Sequence, residues 1–320
     1  MSLPCPSDQW PAPLRTGDQV GIAAASSCLQ DHDTLQEGIA VLTSWGLQVN
    51  PPPPLERRWG YLAGRDDERR KDLLLPSPGA LLACARGGWG AARLLEAPIA
   101  WPEGWLLGFS DVTALLCSRW ARGLGGGIHG PLLTTLASEP QWSQERLRHL
   151  LFGQPVAPLQ GTCWRSGRAS GPLITVNLTV ASHLLGTPHL PDLRGAILVI
   201  EDVGEVPYRI DRMLTHWRLA GVLQQLAGIG FGRFSGCDDD NEETSANKTS
   251  ADKTSTDKTA ADSFTLDQVL RERIADLNCP VIADLPVGHG SGGNAALPVG
   301  VQALLDADRG TLSVVMPSQR

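Results

Sequence analysis

The chain has 320 residues, of which 42% are hydrophobic and 19% are charged, and its formal net charge is −7. This composition is typical of a globular protein, and a net negative charge disfavours nucleic-acid binding because phosphates are repelled. No apolar run approaches the roughly 20 residues that a membrane-spanning helix needs. We therefore expect neither nucleic acid nor membrane as a partner.

The N-terminus and the cysteines predict a cytoplasmic protein. The first residues, MSLPCPSDQ, contain neither the basic nor the apolar region of a secretory signal. The seven cysteines are spread along the chain without a CxxC pair, which is typical of reduced thiols rather than of disulfides or a zinc site. We expect no metal and no cofactor, since no Asp/Glu–His cluster or phosphate-binding loop is evident either.

The first half of the chain alternates apolar strands with helical patterns. This alternation is typical of a parallel sheet that is covered by helices on both faces, and ligands bind such sheets at the carboxyl ends of the strands. Strands are predicted at 20–25, 81–85 and 105–109, and helices at 33–45, 65–75 and 111–121.

The predicted fold class is α/β, with an N-terminal doubly wound parallel-sheet domain over 1–155. A proline- and glycine-containing stretch at 156–170 is interpreted as a linker. Further apolar strands at 173–176 and 196–200 and a helix at 208–219 predict a smaller mixed α/β C-terminal domain over 171–320.

A low-complexity insertion lies in the second domain at about 238–262. It contains the five-residue repeat TSANK, TSADK, TSTDK, with no aromatic or large apolar residue. Such a segment cannot offset its own ordering entropy, so we expect a solvated surface loop. A partner-binding segment is the less favoured alternative.

Ser110 lies in Gly108-Phe109-Ser110-Asp111, between a predicted strand and a predicted helix. A sharp turn there would present the serine hydroxyl beside the positive end of the helix, which suits a nucleophile. The familiar G-x-S-x-G pattern has a second glycine where this chain has Val112. From the local pattern alone, a helix N-cap at Ser110 or Asp111 remains the competing interpretation.

His289 stands between two glycines in PVGHGSGGN. Flanking glycines let an imidazole project into a cleft with little steric hindrance, although a solvated loop histidine is an equally open interpretation. The remaining histidines are interpreted mostly as surface or loop residues: His32, His129, His149, His183, His189 and His216.

Glu201 follows the apolar run Ile197–Ile200. A carboxylate at the end of a buried strand is placed to orient a histidine and to stabilise its charged form. Asp202 and Glu205 are rivals for this role because they are close in sequence.

A series of short motifs extends over nearly the whole chain. They are GDQVGIAAASS at 17–27, GYLAGRDDER at 60–69, CARGGWGAARLL at 84–95, GFSDVTAL at 108–115, HGP at 129–131, GTP at 186–188, LVIEDVGEVPYRIDRML at 198–214, PVGHG at 286–290 and LPVG at 297–300. Because it contains these motifs in this order, the chain resembles the LD-carboxypeptidases, also called murein tetrapeptide carboxypeptidases. These enzymes share their fold with the microcin C immunity peptidases.

The resemblance implies a catalytic triad of Ser110, Glu201 and His289, assembled across the interface of the two domains. It also implies an oxyanion hole formed by backbone N–H groups of Asp111 and of the Arg86–Gly88 loop, with Gly88 the favoured member. Arg86 and Trp89 are candidates for substrate binding, and a structural salt bridge is the competing role for Arg86.

The implied activity is serine-type hydrolysis of the L,D-peptide bond that releases terminal D-Ala from a muropeptide tetrapeptide in peptidoglycan recycling. The alternatives are a self-immunity peptidase or amidase acting on peptidyl-nucleotide antibiotics, and a catalytically idle muropeptide-binding protein. By analogy with the family, a homodimer is expected. Two departures from the family pattern are Thr175-Val-Asn177 in place of Gly-Gly-Asn, and Trp89 and Phe109 where tyrosines are common.

Overall fold

A computed structural model describes residues 10–74, 81–101, 103–238 and 263–315. The strands are β1 Gln19–Ala23, β2 Gln48–Val49, β3 Leu81–Cys84, β4 Trp105–Gly108, β5 Gly127–His129, β6 Leu159–Gln160, β7 Thr162–Arg165, β8 Arg168–Asn177, β9 Ile197–Val203, β10 Gly228–Ser235, β11 Val281–Ala283, β12 Leu297–Pro298, β13 Gln302–Asp306 and β14 Thr311–Val315. The α-helices are α1 His32–Ser44, α2 Asp66–Lys71, α3 Thr113–Ala121, α4 Leu133–Leu136, α5 Gln141–Leu151, α6 Leu178–Leu184, α7 Pro207–Leu219 and α8 Leu266–Ile274.

The first sheet has the strand order β12-β5-β4-β3-β1-β2. Strands β1 to β5 pair in parallel, as their nearly continuous apolar sequences predict, and β12 is added antiparallel to β5. Helix α1 begins where the Asp31 side chain accepts the N–H groups of Asp33 and Thr34, an ordinary N-cap. Leu35 and Leu42 of this helix are fully buried.

The second sheet has eight strands in the order β6-β14-β13-β8-β9-β10-β11-β7. Its outermost strands, β6 and β7, are consecutive in the chain and are separated by Gly161, so the sheet curls until it nearly closes into a barrel. Gly161 donates to Gly310 O, and a Cβ at this position would lie 2.4 Å from Ala283 O. Glycine is therefore required at the closure point because no side chain fits between these backbones.

A large hydrophobic cluster joins the two sheets. It includes Leu106 of β4 and Leu116 of α3 together with Ile174 of β8 and Ile200 of β9. Packing of this kind holds the two halves in one orientation, because separating them would expose fully buried apolar side chains. The carboxyl ends of β3 and β4 thus face residues of the second sheet across a fixed interface.

The predicted α/β fold class is confirmed by the two sheets and their helices. Residues 156–170, which we interpreted as a linker, instead contain β6, β7 and the first residues of β8. These strands escaped prediction because β6 is very short and because β7 lacks the alternation of buried and exposed residues that marks a strand. Its first two residues are exposed and its last two are half-buried. The chain also returns to the first sheet at β12 before it adds β13 and β14 to the second sheet.

The repeat insertion lies outside the described residues, apart from Asp238 at its start. Among the helices of the described residues, none combines the length and the apolar character needed to span a bilayer. The same residues contain no group of three or more His, Cys, Asp or Glu side chains that could hold a metal ion.

Candidate active site

Ser110 lies at a strained turn between β4 and α3. Its φ is +61°, and Asp284 is the other non-glycine residue with positive φ in the described part of the chain. A short 3₁₀ turn, Ser110–Val112, leads from the strand into α3. A Cβ at Gly108 would lie 2.8 Å from the Val112 side chain, so the glycine two residues before the serine lets Val112 pack beneath the turn. This conformation is costly for serine, and such strain is concentrated at functional sites.

The glycine loop that follows β3 approaches the serine closely. A Cβ built on Gly87 would lie 3.1 Å from both Cβ and Oγ of Ser110. Within the described residues, the N–H groups of Gly87 and Gly88 have no hydrogen-bond acceptor. These groups are therefore available to an oxygen that develops negative charge beside Ser110. The assignment of Gly88 and Asp111 as the donors stays a prediction.

Replacing Gly87 by alanine is expected to lower the catalytic rate by about tenfold or more, because the new methyl group displaces the serine by a few tenths of an ångström. Release of D-Ala by the purified variant, the activity that the family resemblance implies, measures this effect. Gly123→Ala is a suitable control, since a Cβ at Gly123 would meet nothing within 4 Å and only adds backbone strain at φ +75°. Full activity in Gly87→Ala would show that close packing of the glycine loop against Ser110 is not needed for catalysis.

Glu201 and His289 form a hydrogen-bonded pair across from Ser110. Glu201 Oε2 lies 2.7 Å from His289 Nδ1 and also accepts the backbone N–H of His289 at 3.2 Å. The carboxylate is fully buried, whereas the His289 side chain is 21% exposed. A histidine that donates from Nδ1 has Nε2 free to accept a proton, which is the arrangement of a general base oriented by a carboxylate.

Glycine at position 288 makes this pairing sterically feasible. A Cβ there would lie 2.5 Å from both Cβ and Oε2 of Glu201, and the residue has φ +97°. The loop is held further by Asn294, whose Oδ1 accepts the Gly288 N–H at 2.8 Å, and by Ser235, whose hydroxyl donates to His289 O at 2.7 Å. The imidazole is thus fixed by several independent contacts.

The rival carboxylates have other partners. Asp202 accepts the backbone N–H and the hydroxyl of Thr179, each at 2.8 Å, and an amide hydrogen of Asn177 at 3.1 Å. Glu205 pairs with Arg209 at 3.3 Å, near the start of α7. Of the three candidates, Glu201 alone contacts His289 in the described structure.

A cavity of about 330 Å³, here called the serine cavity, brings the two halves of the site together. It is lined by Arg86, Gly87, Phe109, Ser110, Leu132, His289 and neighbouring residues. Ser110 makes no side-chain hydrogen bond to a described residue, His289 included. Trp89, 41% exposed, does not belong to the described lining of this cavity.

Asp111 connects the serine turn to the glycine loop. Its fully buried carboxylate accepts the Ala91 N–H at 2.8 Å, and burial raises the pKa of this group. Arg69, also fully buried, donates to Gly90 O at 2.9 Å and pairs with Asp66. The glycine loop is therefore fixed by two side chains: Asp111 accepts a hydrogen bond from one of its N–H groups, and Arg69 donates one to one of its C=O groups. This scaffold was not predicted, because Asp111 was considered only as a helix N-cap or as an oxyanion donor through its backbone N–H.

His129, interpreted as a surface or loop residue, is fully buried at the end of β5. Burial lowers its pKa to about 4, so the ring is neutral near pH 7. The Phe109 ring lies between two imidazoles, with centroid distances of 5.8 Å to His129 and 4.7 Å to His289. The strand position of His129 was hidden because β5 has only three residues, flanked by glycines.

Models of the LD-carboxypeptidase N-terminal and C-terminal domains match residues 20–130 and 170–305. The murein tetrapeptide carboxypeptidase of Pseudomonas aeruginosa is 33% identical over 329 residues, which covers 95% of this chain and 97% of that protein. A Synechocystis protein provisionally named a carboxypeptidase is 47% identical over 310 residues, covering 95% and 96% of the two chains.

The chain belongs to the LD-carboxypeptidase family. The family resemblance stated from the motifs is therefore confirmed, and the chain is a peptidase of the carboxypeptidase type. The triad positions are not tested by these matches and remain predictions.

Solved structures share the fold. The muramoyltetrapeptide carboxypeptidase from Oxalobacter formigenes has a TM-score of 0.76 at 24% identity, covering 94% of this chain and all of that one (100%). MccF in complex with glutamyl sulfamoyl guanosine has a TM-score of 0.75 at 20% identity, covering 97% and 99%. At these identities the likeness establishes the architecture of this LD-carboxypeptidase family member and not its substrate.

Proposed function

We propose that this protein is a serine-type LD-carboxypeptidase of the cytoplasm. Its substrate would be the muropeptide L-Ala–D-Glu–diaminopimelate–D-Ala, from which it releases the terminal D-Ala during peptidoglycan recycling. The observation that carries the proposal is the 2.7 Å contact between buried Glu201 and His289, which lines the same cavity as Ser110. The murein tetrapeptide carboxypeptidase from Pseudomonas supports the choice of substrate.

In the first half-reaction Ser110 Oγ attacks the carbonyl carbon of diaminopimelate while His289 Nε2 accepts the hydroxyl proton. Glu201 keeps the imidazole in the required tautomer and stabilises its positive charge. The carbonyl oxygen becomes an oxyanion, which the N–H groups of Asp111 and Gly88 would stabilise. His289 then passes its proton to the departing D-Ala nitrogen as the C–N bond breaks.

In the second half-reaction a water molecule attacks the acyl-serine. His289 accepts a proton from this water and returns one to Ser110 Oγ as the ester bond breaks, which releases the tripeptide and regenerates the enzyme. Every proton transfer uses His289, so the mechanism requires no metal and no cofactor.

Arg86 supplies the positive charge that a carboxypeptidase needs for its substrate's terminal carboxylate. It is the one Lys or Arg among the described residues that line the serine cavity, and it follows β3 directly. One guanidinium nitrogen donates to Cys28 O at 2.9 Å, which orients the group without neutralising it. Asp31, the acidic residue of the same cavity, caps α1. Arg86 therefore remains able to pair with a carboxylate.

Two alternatives keep the same fold. A self-immunity peptidase acting on a peptidyl nucleotide is suggested by MccF, which has been solved with glutamyl sulfamoyl guanosine and with aspartyl sulfamoyl adenosine. An idle muropeptide-binding protein would keep the cavity without turnover. The contact between Glu201 and His289 favours an enzyme, because a binding protein has no need of an oriented imidazole.

Parallel incubation with the tetrapeptide and with aspartyl sulfamoyl adenosine separates these functions. We expect tripeptide and free D-Ala from the first substrate, at a kcat/KM well above that for the second, with both products quantified by mass spectrometry. Faster turnover of the sulfamoyl nucleoside would favour the immunity function. Binding of tetrapeptide without release of D-Ala would indicate the idle protein.

A further inference from the structure

A second cavity of about 290 Å³, here called the glycine-loop cavity, adjoins the serine cavity. The two cavities share Phe109, Thr135 and His289 as lining residues. The rest of the second cavity is formed by the stretch that precedes α5 and by the glycine-rich loop after His289. A peptide whose scissile bond lies beside His289 could therefore extend into both spaces.

The two cavities differ in their charged lining residues. The serine cavity is lined by Arg86 and by Asp31, which caps α1, whereas Glu139 is the acidic residue of the glycine-loop cavity, and no Lys or Arg is among the described residues that line it. Arg233 lowers the pKa of Glu139 through its charge, and its guanidinium donates to Gly293 O at 2.5 Å, so this cation borders the glycine-loop cavity without lining it. A peptide that extended into both cavities would thus contact Arg86 in one and Glu139 in the other.

Glu139 is held in place without a cationic side chain in direct contact. Its Oε2 accepts the backbone N–H of Asn294 at 2.6 Å, and the residue is half-buried. Partial burial raises the pKa of this carboxyl, whereas the Asn294 N–H, the Ser143 hydroxyl and the charge of Arg233 lower it. A cation that entered the cavity could form an ion pair with this carboxylate, because no cationic side chain contacts it directly.

We propose that Glu139 determines substrate specificity by binding the terminal ammonium group of the side chain on the acyl side of the scissile bond. This inference rests on the proposed carboxypeptidase function. The leaving residue of a carboxypeptidase substrate carries a free carboxylate, which suits the cavity that contains Arg86. The acyl-side residue then faces the glycine-loop cavity, where a carboxylate selects a positively charged side chain over a neutral one of similar length.

The test compares two tetrapeptides that differ only in their third residue, lysine in one and norleucine in the other. We expect the wild-type protein to prefer the lysine peptide by about tenfold or more in kcat/KM, and Glu139→Gln to reduce this preference to about twofold or less. The glutamine oxygen can still accept the Asn294 N–H. Because the readout is a ratio on one sample, it does not depend on the fraction of folded protein.

Glu145→Gln is the matched control, since Glu145 is exposed on α5 and should leave the preference unchanged. A wild-type protein without a preference, or a preference that survives in Glu139→Gln, would overturn the assignment of Glu139. Failure of the wild type to release D-Ala from these peptides and from the diaminopimelate tetrapeptide would overturn the proposed carboxypeptidase function itself, so the two failures are distinguishable.

Discussion

Ser110→Ala is expected to lower D-Ala release from the tetrapeptide by at least about a thousandfold, since no other group in the proposed mechanism can form the acyl-enzyme. The overall fold should persist, because alanine and serine meet similar strain at φ +61°. The measurement is single-turnover kinetics, with circular dichroism as a check on folding.

Ser44→Ala provides the control for the serine variant. Ser44 is exposed at the end of α1 and donates to Val41 O at 2.6 Å, far in sequence from the site. We expect it to retain activity within about twofold, as surface substitutions usually have small effects. Unchanged activity in Ser110→Ala would exclude Ser110 as the nucleophile.

Glu201→Gln is expected to reduce kcat by about a hundredfold or more. The amide can still accept a hydrogen bond from His289, but it carries no charge to stabilise the imidazolium that forms during proton transfer. Glu201 Oε2 now accepts from both Nδ1 and the backbone N–H of His289, so the substitution also weakens the position of the loop. Steady-state kinetics on the tetrapeptide measures the loss.

Glu205→Gln is the matched variant for this second experiment. Glu205 pairs with Arg209 near the start of α7, and we expect activity within about twofold of wild type. Equal losses in the two variants, or a larger loss in Glu205→Gln, would reassign the orienting carboxylate. The pair of variants thus distinguishes the carboxylate that contacts His289 from a half-buried carboxylate four residues further along the chain.

The sequence predicted the elements that carry long apolar patterns. Strand β4 and helix α3 were predicted within a few residues of their bounds, because Trp105–Leu107 and the apolar residues after Asp111 have clear periodicity. The contact between Glu201 and His289 could not be predicted from the sequence pattern around either residue, because the two are 88 positions apart in the chain. It depends on Gly288, which lets the loop contact β9, and the motif order suggested the pairing only through resemblance.

Other features escaped prediction for physical reasons. The strands within 156–170 are short, and their pairing partners β11 and β14 are more than a hundred residues away in sequence. Glu139 precedes a helix by two residues and has no motif of its own, so its place in a cavity beside His289 arises only from the tertiary fold. Val112 appeared to weaken the serine motif, yet it packs against Gly108 and is fully buried.

The most direct test of the central claim is the stereochemistry of the bond that the wild-type protein cleaves. Two tetrapeptides, ending in D-Ala or in L-Ala, are incubated with the protein, and the products are identified by mass spectrometry. We predict tripeptide and free D-Ala from the first isomer, with the second left intact on the same timescale. Equal cleavage of both isomers, or cleavage at an internal bond, would contradict the assignment of this site to L,D-peptide hydrolysis.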